Sequence, residues 1–128
     1  MKSLIVSLLL LGAAACSRET ASTQSPTPTE AKVELPAGLA RVSDPSQVCM
    51  VTDQFMGKPQ IAVEVEGRTY YGCCPMCKDK LNNQPELRTA RDPVTSEEVD
   101  KAKALIVQDG SGKLMYFATE DTLRRYRG

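Results

Sequence analysis

The chain has 128 residues, with 16 Lys and Arg balanced by 16 Asp and Glu, and it contains no histidine. Because the charges are interspersed, no basic stripe indicates nucleic-acid binding, and two Phe without Trp offer little surface for base stacking. Without histidine the chain lacks the base of a Ser/His/Asp catalytic set, so hydrolase activity of that kind is excluded.

The first 15 residues have the features of a bacterial lipoprotein signal peptide. Lys2 gives a positive start, residues 4–11 are apolar, and small residues precede Cys16. The apolar stretch is too short for a permanent membrane-spanning helix. We expect an acylated Cys16 to anchor the protein to a membrane. By resemblance to the sorting rules of Gram-negative bacteria, Ser17 favours the periplasmic face of the outer membrane. The alternative is a soluble periplasmic protein cut before Cys16.

Residues 16–38, from the lipidated cysteine onward, are rich in Ser, Thr and Pro. Such a segment buries too little apolar surface to offset its ordering entropy, so we expect a flexible tether. Residues 39–128 are predicted to form a single domain. A hydrophobic core of that size gives modest stability, and many small domains add disulfides or a structural metal.

The middle of the chain predicts a strand–strand–helix unit. Apolar and polar residues alternate over 61–66, which indicates a half-buried strand. Gly67 permits a tight turn into a second strand over 68–71. Pro75 suits the first turn of a helix that continues to Asn82.

The second half repeats this plan. Residues 104–107 and 114–117 are predicted strands joined by a glycine-containing turn, and Thr119 is a predicted cap of the last helix. In addition, Thr95 with Glu98 three residues later predicts a capping box for a short helix.

The two units align without a gap when residues 67–71 are placed on residues 112–116. In that register three cysteines of the first unit fall opposite Ala118, Thr119 and Thr122. We interpret the second unit as a degenerate copy without cysteines; the alternative is a chance similarity of two short hairpin–helix units.

Besides Cys16, the chain has four cysteines: Cys49, Cys73, Cys74 and Cys77. A helix that begins near Cys74 places Cys73 at the strand end and Cys77 one turn into the helix, so both can face a point that Cys49 closes from the other side. The helix start favours the thiolate, which is the form that binds metal. Thiolates select Cu(I), Zn and similar thiophilic metals.

This cysteine pattern carries a family resemblance. The spacing Cys49-x23-Cys73-x3-Cys77 resembles the TRASH domain, a treble-clef-like heavy-metal module, and residues 70–78 are similar to the turn of the related YHS domain. The resemblance implies that Cys49, Cys73 and Cys77 are metal ligands and leaves Cys74 as an extra thiol. The second half is similar in layout to the copper lipoproteins of the NosL type. Membership would imply metal trafficking, resistance or sensing.

The identity of the metal follows from the other donors near the cysteines. Met50, Met56 and Met76 lie close in sequence, and thioethers with thiolates suit Cu(I). Cys74, Met50 and Met76 are therefore candidates for a remaining ligand position. All four cysteines together would also form a closed tetrahedral Zn site, so Zn remains an alternative to Cu(I).

Two other functions compete with metal binding. Cys74-Pro75-Met76-Cys77 is a Cys-x-x-Cys sequence at a helix start, as in thiol–disulfide redox proteins. Alternatively, an exported domain with four cysteines forms two disulfides that only stabilise a structural or interaction lipoprotein.

The sequence thus predicts an α+β fold of two strand–strand–helix units, the first treble-clef-like. The predicted function is extracytoplasmic binding of a thiophilic metal, with Cu(I) favoured, for trafficking or resistance. We expect no catalytic turnover. The expected partners are the metal ion, the membrane and a protein that donates or accepts the metal.

Overall fold

The computed structural model describes residues 34–128. The predicted signal peptide, the lipidated Cys16 and the tether up to residue 33 lie outside the described residues. No helix in the described range is long and apolar enough to cross a bilayer.

Short strands and two α-helices make up this part of the chain, which confirms the α+β class. The strands are β1 (Ala40–Arg41), β2 (Val48–Cys49), β3 (Gln54–Phe55), β4 (Ile61–Val65), β5 (Arg68–Gly72), β6 (Thr89–Arg91), β7 (Glu98–Asp100), β8 (Leu105–Gln108) and β9 (Leu114–Phe117). The helices are α1 (Pro75–Asn83) and α2 (Glu120–Arg125), and short 3-10 helices span Pro45–Gln47 and Pro85–Arg88. Both predicted strand–strand–helix units are present, as β4–β5–α1 and β8–β9–α2.

All strand pairs in the described range are antiparallel. β1, β8 and β9 form a three-stranded sheet with β8 in the centre, whereas β2–β3, β4–β5 and β6–β7 are separate two-stranded pairs. The first unit therefore runs from the β2–β3 hairpin through the β4–β5 hairpin to α1.

The turn between β4 and β5 has a clear local cause. Val65 pairs with Arg68, so only Glu66 and Gly67 form the loop, and both have positive φ, at 52° and 75°. Two left-handed residues give the backbone twist that a two-residue hairpin needs. The predicted turn at Gly67 is thereby confirmed.

The last helix begins as its sequence predicts. The Thr119 hydroxyl accepts the N–H of Thr122, and the Thr122 hydroxyl accepts the N–H of Thr119, which forms a reciprocal capping box. Acidic residues occupy the first turn of α2 and arginines the last, as the helix dipole favours.

The helix predicted from Thr95 and Glu98 is wrong, since residues 98–100 are strand β7. The Asp92 carboxylate accepts the N–H groups of Val94 and Thr95, and this bends the chain so that β7 returns antiparallel to β6. Ser96, with φ 61°, completes the turn. Pairing with β6 overrides the local helix signal.

Two hydrophobic clusters lie beneath the helices. The larger contains Val42, Val48, Met50, Val63, Tyr70, Leu81, Val99, Ile106, Leu114 and Tyr116. The smaller consists of Val107, Phe117 and Leu123, with Leu35 and Leu39 packed against it. The larger cluster joins both halves of the domain, so the cysteine-bearing unit packs directly on the cysteine-free one.

Candidate metal centre

Two segments of the first unit bring the four cysteines together. Cys49 is the last residue of β2, and Cys73 directly follows β5. Cys74 is the N-cap of α1, and Cys77 lies in the first turn of that helix. A backbone hydrogen bond from Met50 N to Tyr71 O (2.8 Å) holds the end of β2 against β5, so Cys49 faces the start of α1.

The sulfur atoms of Cys49, Cys73 and Cys77 all lie within 4.8 Å of one another. The Sγ–Sγ distances to Cys77 are 4.0 Å from Cys49 and 3.6 Å from Cys73. Three sulfurs bound to one metal at about 2.3 Å are themselves separated by about 4 Å. The three sulfurs are therefore close enough together to hold a single ion.

The site is closed on one side and open on the other. Cys49 is 0% exposed and Cys77 is 6% exposed, whereas Cys73 lies at the surface. An ion held by these three sulfurs would have buried ligands behind it and an exposed ligand in front. Such an arrangement allows the ion to be exchanged through the Cys73 side.

The fourth thiol has a different place. Cys74 Sγ lies 3.3 Å from Cys77 Sγ, but it does not belong to the group of sulfurs within 4.8 Å of one another. Cys74 is half-buried at the start of α1. Its role as a ligand stays a prediction.

Hydrogen bonds to Cys49 lower the pKa of its thiol and so favour the thiolate. Burial alone raises its pKa, but the hydroxyl and N–H of Thr52, with the N–H groups of Cys73 and Val51, more than offset this and bring the pKa to about 7. A carboxylate or thiolate that accepts several N–H bonds is stabilised in its charged form.

Cys77 is held in the protonated form instead. Burial, followed by side-chain hydrogen bonding with Cys74 and Cys73, raises its pKa to about 12. The pKa of Cys73 is also raised, chiefly by side-chain hydrogen bonding with Cys49. Because metal ligands must be deprotonated, an ion bound to all three sulfurs would displace the protons of Cys73 and Cys77.

The candidate methionine ligands lie in contrasting environments. Met50 is fully buried in the larger hydrophobic cluster, and Met76 on the first turn of α1 is 65% exposed. Met56 is also exposed. Coordination by Met50 or Met76 stays a prediction.

Gly72 permits the close approach of α1 to β5. A Cβ at Gly72 would lie 2.8 Å from the Cβ of Cys77 and 3.2 Å from the N of Lys78. We expect Gly72→Ala to push the first turn of α1 away and to cost about 1–3 kcal/mol of stability. Metal affinity should fall as well, because the displaced turn carries Cys77. Unfolding and metal titration of Gly110→Ala provide the control, since a Cβ there meets nothing within 4 Å. Equal behaviour of the two variants would contradict this account.

A buried lysine supports the turn that follows Cys49. Lys101 is only 4% exposed, and its Nζ donates to Met50 O (2.7 Å) and to Asp53 Oδ1 (2.6 Å). The Tyr116 hydroxyl donates to the same oxygen of Asp53 at 3.0 Å. Asp53 has φ 52° and lies in the turn after Cys49, where it also pairs with Lys101. Sequence reasoning missed Lys101, since its neighbours gave no sign that it is buried.

The caps of the two helices show how the units differ. Cys74 and Thr119 are the N-caps of α1 and α2, as the ungapped alignment predicts. In α2 the hydroxyls of Thr119 and Thr122 cap the helix, whereas α1 has no side-chain cap hydrogen bond. In α1 the thiols of Cys74 and Cys77 occupy the positions of these two threonines. The helix that carries the sulfur site therefore lacks a side-chain cap.

The chain matches no protein-family model, and neither the curated proteins nor the solved structures include a significant match to it.

Proposed function

We propose that this protein binds a thiophilic metal ion, most favourably Cu(I), through Cys49, Cys73 and Cys77. The observation that carries the proposal is the spacing of their sulfur atoms, all within 4.8 Å of one another. Soft thiolate ligands bind Cu(I) and Zn in preference to the hard cations Mg and Ca. The hydrogen-bonded Cys49 thiolate supplies a first anionic ligand near neutral pH.

The number of ligands favours Cu(I) over Zn. Structural Zn sites are almost always four-coordinate, and the chain has no histidine to complete one. Cys74 is the remaining thiol in the domain, and its sulfur lies outside the group of three. Cu(I) prefers soft sulfur ligands, and three of them are enough to bind it.

The resemblance to TRASH and YHS domains supports trafficking or resistance as the purpose of the site. The exposed Cys73 favours exchange of the ion with a donor or acceptor protein over a sealed structural site. In this proposal the protein binds the metal without catalytic turnover.

We further propose that the protein is a lipoprotein, anchored through Cys16 at the periplasmic face of the outer membrane. The support is the charged, apolar and small-residue pattern of residues 1–15. Fractionation of cells that express Cys16→Ser should show loss of membrane association. Retention of the variant in the membrane fraction would contradict the anchor.

A Cu(I) titration of the reduced protein in the presence of a competing chelator tests the metal site. The unmodified protein should bind one Cu(I). Cys77→Ser should weaken binding by more than about 100-fold, since even outer contacts of a metal site are worth 10–100-fold. Cys74→Ser is the matched control, three residues away in the same helix start, and should bind nearly as well as the unmodified protein. Comparable weak uptake by all three proteins would refute the metal site.

A further inference from the structure

The sulfur of Cys77 contacts the other two sulfurs of the proposed metal site and also the sulfur of Cys74. Its Sγ lies within 4.0 Å of Cys49 and 3.6 Å of Cys73, and it lies closer still, at 3.3 Å, to Cys74. Cys74 is not in the group of three, and Cys77 Sγ contacts both the sulfurs of that group and Cys74 Sγ. One sulfur cannot be a metal thiolate and half of a disulfide at the same time.

We propose that Cys74 and Cys77 form a thiol–disulfide exchange site whose oxidation removes Cys77 from the metal centre and releases the ion. This inference rests on the proposed function, since it assigns a regulation to the same site. The metal-bound and the disulfide-bonded states are mutually exclusive, and the oxidant is a disulfide of another protein or of a small thiol.

Solvent access differs among the three sulfur partners of Cys77 and favours Cys74 over Cys49. Cys49 is fully buried, whereas Cys74 is half-buried at the N-cap of α1. A disulfide-bearing reagent therefore reaches Cys74 from solvent before it reaches Cys49. Exposed Cys73 is also accessible, but its sulfur is 3.6 Å from Cys77 and is itself a ligand in the proposed site.

The helix start suits a bond between these two side chains. In α2 the side chains at the N-cap and at the third helical position, Thr119 and Thr122, each reach the backbone N–H of the other residue. Cys74 and Cys77 occupy the same positions in α1, so their side chains are brought toward each other in the same way. Since α1 has no side-chain cap hydrogen bond, a disulfide here would break none.

The disulfide between Cys74 and Cys77 forms in two successive displacement steps. The Cys74 thiolate attacks one sulfur of the oxidant, which forms a mixed disulfide and expels one thiolate. Cys77 then attacks the Cys74 sulfur of the mixed disulfide, which forms the Cys74–Cys77 bond and expels the second thiolate. Two electrons pass from the protein to the oxidant, and the two displaced thiolates take up protons or bind metal. The ion keeps its oxidation state and is left with two thiolates, so it passes to a competing ligand.

Oxidised glutathione and a chromogenic Cu(I) chelator, under anaerobic conditions, test the inference. The reduced protein is loaded with one Cu(I), and release is followed with and without the oxidant. We expect oxidised glutathione to speed release roughly tenfold or more, since it removes a ligand. Cys74→Thr is the matched variant, because Thr119 shows that threonine caps a helix at this position. Release from Cys74→Thr should not respond to the oxidant.

A second measurement separates this inference from the proposed function. Metal-free reduced protein is treated with oxidised glutathione, and fragment-ion mass spectrometry maps the bond that forms. A Cys74–Cys77 bond supports the inference even if Cu(I) binding itself proves weak. A bond from Cys77 to Cys73 or Cys49, or equal acceleration of release in Cys74→Thr, would overturn it. Failure of reduced protein to bind Cu(I) would instead refute the proposed function.

Discussion

Asp92→Ala should destabilise the domain by about 3–5 kcal/mol, a large part of the stability of a small domain. Asp92 is 1% exposed, and its carboxylate accepts N–H groups of Val94 (2.8 Å), Thr95 (3.3 Å) and Ala118 (2.8 Å). Alanine would leave these donors without their acceptor. The bond to Ala118 also ties the β6–β7 turn to the residue before the cap of α2. Chemical denaturation measures the loss.

Asp44→Ala is the matched control. Asp44 also precedes a proline and accepts an N–H two residues later, from Ser46 at 2.9 Å, but it is exposed. Its loss should cost about 1 kcal/mol, as for an ordinary cap. Equal losses in the two variants would show that burial of the Asp92 carboxylate is unimportant.

The Asp92 carboxylate also makes stability depend on pH. Burial raises its pKa, but the hydrogen bonds it accepts, led by that from Ala118, lower it more, so the folded-state pKa lies below the ordinary value of 3.8. A depressed folded pKa stabilises the fold above the unfolded pKa, and the contribution is lost as pH falls through the folded pKa. Stability of the unmodified protein should therefore decline below about pH 4 more steeply than that of Asp92→Asn. Parallel pH profiles would contradict this.

Lys101→Met should lower both stability and metal affinity. Methionine fills a similar volume but removes the charged bonds to Met50 O and Asp53, at a cost of about 2–4 kcal/mol. The loosened turn begins at Cys49, so we expect Cu(I) affinity to fall about 10–100-fold, as when contacts behind a metal ligand are lost. Denaturation and chelator competition measure the two effects.

The exposed Lys103, two residues later, provides the control for Lys101. Lys103→Met removes the same charge from the domain without touching the Cys49 turn, and both quantities should stay nearly unchanged. If Lys101→Met lost stability but kept full Cu(I) affinity, Lys101 would support the fold without organising the metal site.

The sequence alone predicted the parts of the molecule that are determined locally. The alternation of residues 61–65, the turn at Gly67 and the helix after Pro75 all follow from short-range rules, and the structure confirms them. The same rules placed Cys73 and Cys77 at a strand end and a helix start, so the core of the sulfur site was predictable. The residue type of Thr119 also predicted that it caps the last helix, and the structure confirms this.

The errors concern strand pairing and burial, which short-range patterns do not determine. The Thr95 helix failed because β7 pairs with β6 around the buried Asp92, and a capping-box pattern carries no information about such pairing. Lys101 was missed because its partners lie 51 and 48 residues away in sequence. A lysine is normally exposed, and the burial of Lys101 is explained by its ion pair with Asp53 and its hydrogen bond to Met50 O.

X-ray absorption at the copper edge of the reduced, Cu(I)-loaded protein tests the central claim most directly. The account predicts one copper bound by three sulfur atoms in the unmodified protein and in Cys74→Thr, and by fewer sulfurs in Cys77→Ser. A spectrum dominated by nitrogen or oxygen ligands, or one that does not change in Cys77→Ser, would contradict a metal centre built on Cys49, Cys73 and Cys77.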